Sequence, residues 1–144
     1  MTGKSNLGKP TLGCSDVSTV KLDFDDVPFR VAKFWAGRAC HWFRLGGYVI
    51  LRSSMNHYHV VFDRDVDWIE NMRIMCWVAS ESKIQALKDY VLMQGIKESS
   101  TLRVVPKGDK PSPRLVRRFG SQSGRVKVFL DERREIKRIW ERVA

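Results

Sequence analysis

Cysteine is scarce and scattered. Cys14, Cys40 and Cys76 are the three in the chain, too few and too far apart for a disulfide framework or a zinc knuckle. They point to a reducing, cytoplasmic compartment. No apolar run approaches the roughly 18 residues of a membrane-spanning helix, so no membrane partner is expected. Met1–Gly13 holds Gly, Lys and Thr but no apolar stretch, which excludes reading it as a secretory signal. No internal repeat is visible. What the chain does have is enough apolar material for a core: hydrophobic residues make up 43% of 144 residues, as in a globular domain. The expected division is a flexible lead-in over 1–16 and a single folded domain over 17–144.

Acidic residues are also in short supply. Lys and Arg number 26 against 16 Asp and Glu, for a net charge of +10. From Arg103 onward thirteen Lys or Arg face five Asp or Glu, so this third of the chain carries +8. Such a surface attracts polyanions by counterion release, and nucleic acid is the first expectation. Arg114, Arg117 and Arg118 are the candidate nucleic-acid contacts.

Periodicity gives the coarse architecture. Val20, Leu22 and Phe24 alternate with Lys21, Asp23 and Asp25, the pattern of a half-buried strand. Pro28 then opens a helix, stopped by Gly46-Gly47, whose stripe of Val31, Phe34, Trp35, Ala39, Trp42 and Phe43 is assigned to the core. His41 falls on that helix's surface. Tyr48–Leu51 and Tyr58–Phe62 are strands around the turn-forming segment 53–57, in which Asn56 suits left-handed backbone angles. Helices are expected over Asp65–Val78, with Asp65 or Asp67 at its start, and over Ser80–Gln94, with Ser80 as N-cap and Gly95 as stop. Thr101–Val105 is a strand, Lys107–Pro113 a loop, Leu115–Gly120 ambiguous, Val126–Leu130 a late strand and Asp131–Val143 a closing helix. The whole predicts an α+β fold: a mainly antiparallel sheet with packed helices and an RRM-like, split-βαβ core.

Two features carry chemistry. Asp23 and Asp25 share one strand face, about 6.5–7 Å apart along the chain. Paired carboxylates are hard-oxygen ligands suited to Mg²⁺ or Mn²⁺, with phosphates completing the shell. His57 and His59 share a face of the second hairpin strand, Tyr58 pointing the other way.

An Asp-x-Asp strand, a helix and a Ser…His hairpin, in that order, resemble the archaeo-eukaryotic primase (primase-polymerase) superfamily catalytic domain in a minimal form. Val20–Asp25 is similar to its first motif and Ser53–Phe62 to its second, with His59 six residues after Ser53. Thr101–Lys107 is similar to the Arg- and Pro-containing segment that follows its third motif, and the likeness spans about residues 18–118. The resemblance implies a template-directed nucleotidyltransferase. Asp23, Asp25 and His59 would be catalytic. Asp23, Asp25 and Glu98 would be the Mg²⁺ or Mn²⁺ ligands, Glu98 standing nearest to where the family's third acid is expected and Asp89 further back. Ser53, His59, Arg103 and Lys107 would hold nucleotide. The implied partners are a DNA or RNA template, nucleoside triphosphates and a replication partner protein.

Two other readings use the same residues. His57-Tyr58-His59 is also a His-hydrophobic-His triplet, as in rolling-circle endonucleases, where Tyr90 would be the nucleophile; the Lys expected one turn later is absent, position 94 being Gln. A non-catalytic basic nucleic-acid-binding module would instead present Phe24 and Tyr58 for base stacking.

Overall fold

A computed structural model of the chain describes residues 12–143. In order it has β1 (Gly13–Asp16), β2 (Lys21–Asp25), α1 (Phe29–Trp42), β3 (Gly47–Ser54), β4 (His57–Phe62), α2 (Trp68–Ser82), α3 (Gln85–Lys97), β5 (Ser100–Arg103), β6 (Arg114–Gly120) and α4 (Arg125–Arg142). The expected hairpin is the spine. β3 and β4 pair antiparallel through a tight turn at Met55-Asn56, where Asn56 takes φ 60°, and a bulge lies between Arg52 and Ser54.

Two antiparallel sheets result, one in the order β2-β4-β3-β6 and the other β1-β5, giving the α+β fold expected. β2 and β3 run parallel with β4 between them, joined through α1. Beyond those three strands the arrangement departs from an RRM-like order. β6 joins the β3 edge, and β5 pairs with β1 in the second sheet. Residues 13–16, expected in a flexible lead-in, therefore form a strand; the rest of that lead-in that precedes residue 12 lies outside the described residues.

Alternation along the strands gives the larger sheet two unlike faces. Leu22, Phe24, Tyr48, Ile50, Tyr58, Val60 and Phe62 pack beneath the helices α1, α2 and α3. Val49, Leu51 and Val61 point the other way, into a second core with Cys14, Leu102, Val104 and Val105 and with Val126, Phe129 and Trp140 of α4. No helix among the described residues is long and apolar enough to cross a membrane.

Several local expectations fail for physical reasons. The stripe assigned to the core of α1 holds in part: Ala39 is buried and Trp35 and Phe43 are packed against the core, but Phe34 and Trp42 are exposed, and Ala32, Ala36 and Cys40 make up the rest of the buried face. Small side chains let the helix lie close on the sheet, and the large rings move aside. Trp35, Trp42 and Phe43 gather instead around Trp77 of α2, the Trp42 and Trp77 rings stacked with centroids 6.1 Å apart. Ser80 caps nothing, because α2 continues to Ser82 and turns at Lys83, which takes left-handed φ. Gly95 lies inside α3 and the stop falls at Glu98.

The predicted late strand Val126–Leu130 is the first part of α4. Its cap comes from far away in sequence. Buried Asp63, just past β4, accepts from the Gly124 and Val126 N–H groups through Oδ1 at 2.9 and 3.1 Å, and from Ser121 Oγ through Oδ2 at 2.8 Å. Those bonds satisfy helix-start donors that would otherwise be orphaned. Gly124 is what permits the approach, since a Cβ there would stand 2.7 Å from the Asp63 carbonyl oxygen.

Candidate active site

Antiparallel pairing of β2 with β4 sets Asp23 opposite His59 and Asp25 opposite His57. All four side chains lie on the sheet face away from α1, at the end where the hairpin turns. Strand alternation alone puts them there, because Leu22, Phe24, Tyr58 and Val60 claim the other face for the core. His57 Nδ1 donates to Asp25 Oδ1 at 2.7 Å, and its Nε2 lies 3.6 Å from Asp26 Oδ1. Asp26 leaves the strand with φ 58° and is exposed.

The inner pair is different. His59 is buried, and its Nε2 lies 3.6 Å from Asp23 Oδ1, too far for a hydrogen bond. Asp23 Oδ1 and His59 Nδ1 are both buried atoms with no hydrogen-bond partner. Burial, and then the charge of Asp25, push Asp23 up to about 7, against the pull of His57, Arg103 and Lys110. Burial pushes His59 down to about 3, with Arg103 adding to the shift, so this imidazole is neutral at ordinary pH.

Cations border the carboxylates. Arg103, at the end of β5, donates through one Nη to the carbonyl oxygens of Val105 and Pro111, holding the 104–113 segment beside the site. Burial lowers its pKa, and the Asp23 carboxylate opposes that shift. Lys107 and Lys110 bond to each other through their backbones in a turn at Gly108. Lys110 acts on Asp23 and was missed in the sequence, where it is one Lys in a Lys/Pro/Gly loop; Lys107 is exposed.

The other expected residues are spread out. Ser53 is buried and donates to the His57 carbonyl oxygen at 3.3 Å, so its hydroxyl serves the hairpin. It also lines a cavity of about 320 Å³ with Arg52, Ser54, Pro111, Ser112 and Arg114. Glu98 is exposed at the left-handed C-cap of α3, and Asp89 accepts from Gln85 on the surface of that helix. Neither is among the charges that chiefly act on Asp23, which are Asp25, His57, Arg103 and Lys110. Among the described residues no three His, Cys, Asp or Glu side chains form a metal cage by themselves. Arg114, Arg117 and Arg118 do not share a surface. Arg117 pairs with Ile50 and Arg118 with Val49, on opposite faces, and Arg118 donates to Gln122 at 2.6 Å.

Tyr90 of α3 reaches the same region. Its hydroxyl donates to the Thr101 carbonyl oxygen at 3.0 Å, and burial together with the Asp23 charge raises its pKa well above the ordinary value. A nucleophile needs the opposite treatment. Phe24 is fully buried and Tyr58 nearly so, with Tyr58 edge-on to Phe29 at 5.5 Å, so neither is free to stack on a base.

Comparison of the chain with protein-family models, with curated proteins and with solved structures gives no match.

Proposed function

We propose that this domain is a nucleotidyltransferase of the primase-polymerase type, with Asp23 and Asp25 as the carboxylates that hold Mg²⁺ or Mn²⁺. The observation that carries the reading is the pair Asp23 and Asp25 on one strand face, with Asp23 Oδ1 buried and unpartnered. A buried polar atom with no protein partner calls for a water, an ion or a ligand to complete it. Burial and then repulsion from Asp25 raise Asp23 to about 7, and a divalent cation between the two carboxylates would relieve both. Two carboxylates are a sufficient protein share for Mg²⁺, whose remaining positions go to water and to substrate phosphates. When bound there, the ion supplies charge neutralisation to a transferring phosphoryl group.

The chain's own residues then divide the work. His57 holds Asp25 in place through the 2.7 Å bond. Neutral His59 stands behind Asp23 and adds no positive charge to compete with the ion. Arg103 and Lys110 offer cations to nucleotide phosphates, with the Arg fork suited to paired phosphate oxygens. The split-βαβ half of the larger sheet is the scaffold that this reading needs. Glu98 has no place in the ligand set.

The test is nucleotide incorporation on a primed template. Asp23→Asn with Asp25→Asn should lose it by at least about a thousandfold, the scale of removing transition-state charge stabilisation. His57→Ala should lose about tenfold or more through misplaced Asp25. Incorporation that survives the double substitution overturns the proposal, and a covalent protein–DNA adduct that disappears in Tyr90→Phe would replace it with the nuclease reading.

A further inference from the structure

α1 and β6 carry Arg30, Lys33, Arg38, Arg114, Arg117 and Arg118 and not one carboxylate between them. On the helix side of the sheet α1 and Tyr48 of β3 line a groove of about 530 Å³, with Arg30, Lys33, Phe34, Gly37, Arg38 and His41 on its α1 wall. Phe119 of β6 stacks on Tyr48 with ring centroids 5.2 Å apart, which places it next to that groove. Arg117 lies two residues earlier on the same strand and so on the same face. Two large rings stay open to solvent here: Phe34 is 53% exposed and Phe119 49%. Arg38 lies over the Phe34 ring at 5.6 Å, and Nε of Arg117 is buried with no partner.

Position connects this surface to the carboxylates. α1 begins at Phe29, against Tyr58, and β6 begins at Arg114, opposite Arg52. Both starts are at the hairpin-turn end of the sheet, where Asp25 and His57 lie. The strip therefore starts beside the candidate site and runs away from it on the other face of the sheet.

We propose that this α1 groove, with β6 beside it, binds single-stranded nucleic acid, with Arg30, Lys33, Arg38 and Arg117 on successive phosphates and Phe34 and Phe119 as stacking platforms for bases. Cations alone would suit any polyanion. Cations interleaved with half-exposed rings fit a strand whose bases are free to stack. Duplex hides its base faces and gains nothing from Phe34 or Phe119. The groove goes beyond the nucleotidyl-transfer reading and stands without it, because strand binding here needs neither Asp23 nor Asp25.

The test is fluorescence anisotropy with a labelled oligothymidylate, titrated over a range of salt. Arg30→Gln with Lys33→Gln and Arg38→Gln should weaken binding at least tenfold at low salt. The same triple change should reduce the log–log salt slope by about 2, near 0.7 for each single-strand phosphate that no longer meets a cation. Phe34→Ala with Phe119→Ala should cost about fivefold or more at unchanged slope. Arg134→Gln with Arg138→Gln on α4 serves as a charge control and should cost less than half as much as the triple change on a logarithmic scale. Asp23→Asn with Asp25→Asn should bind the oligonucleotide as the native chain does. Losses that are equal per cation removed in the α1 and α4 variants would show diffuse attraction and overturn the groove. Equal affinity for duplex would overturn the single-strand assignment, and loss of binding in the Asp variant would move the strand to the carboxylate site.

Discussion

Two buried charged clusters sit on one face of the same sheet, two residues apart on β2, and they are built differently. The first is complete. Lys21 is fully buried, and its ammonium donates to the carbonyl oxygens of Ser100 at 3.0 Å and Cys14 at 3.4 Å while lying 3.4 Å from Asp16 Oδ2. Asp16 in turn accepts from Thr19 and pairs with Arg125 of α4 at 3.0 Å. The second is incomplete. Asp23 Oδ1 and His59 Nδ1 have no partners, and burial drives both groups toward their neutral forms. Buried charge that is fully paired staples elements together: here it ties β1, β5 and α4 to β2. Buried polarity left without a protein partner costs stability unless a water, an ion or a ligand completes it. On the proposed reading the same strand serves structure at Lys21 and metal binding at Asp23.

Removing Lys21 should break the first cluster with the largest effect. Lys21→Ala leaves Asp16 short of a partner in the interior and removes the ammonium's bonds to the Ser100 and Cys14 carbonyl oxygens. Urea denaturation should show a loss of about 3–5 kcal/mol. A change under about 1 kcal/mol would mean that the cluster contributes no more than a surface pair.

The second cluster predicts opposed pH effects. Asp23 has a folded value near 7 against an ordinary 3.8, so the folded chain holds a proton that the unfolded chain releases, and stability falls as pH rises between those values. His59 has a folded value near 3 against an ordinary 6.5, so the unfolded chain gains a proton that the folded chain refuses, and stability falls as pH drops through that window. The two slopes oppose each other over most of their range and leave the native chain nearly flat. Asp23→Asn should unmask the acid loss and make the chain about 4 kcal/mol more stable near pH 8 in the absence of metal. His59→Gln should unmask the other slope. Parallel profiles in denaturation across pH for all three proteins would contradict this.

The smallest effect belongs to Tyr90. Tyr90→Phe removes one hydrogen bond, to Thr101, and should cost about 1 kcal/mol by thermal melting while leaving nucleotide incorporation within about twofold. Loss of activity without loss of stability would assign the hydroxyl a chemical role.

The carboxylate–imidazole face was legible in the sequence because strand period 2 decides it: once Leu22, Phe24, Tyr58 and Val60 are in the core, Asp23, Asp25, His57 and His59 share the other side. Long-range partners were not legible. Nothing near Gly124 announces that Asp63 caps α4, so Val126–Leu130 read as a strand by its own alternation. Ring size misled in α1, where the alanines pack on the sheet and Phe34 is left outside. β1 was hidden because its partner, β5, lies 84 residues away at the Asp16–Ser100 contact. Lys110 reached the site only through the fold of the 104–113 segment, which Arg103 ties down.

The central claim is that Asp23 and Asp25 form a divalent-cation site whose proton competes with the ion. Calorimetric titration of Mn²⁺ into the native chain, and into Asp23→Asn with Asp25→Asn, tests it most directly. Binding to the native chain should tighten about tenfold from pH 6 to pH 8, as Asp23 loses its proton near 7, and the double variant should show no site. Mn²⁺ heats that are the same in both proteins, or an affinity that does not change with pH, would contradict the account.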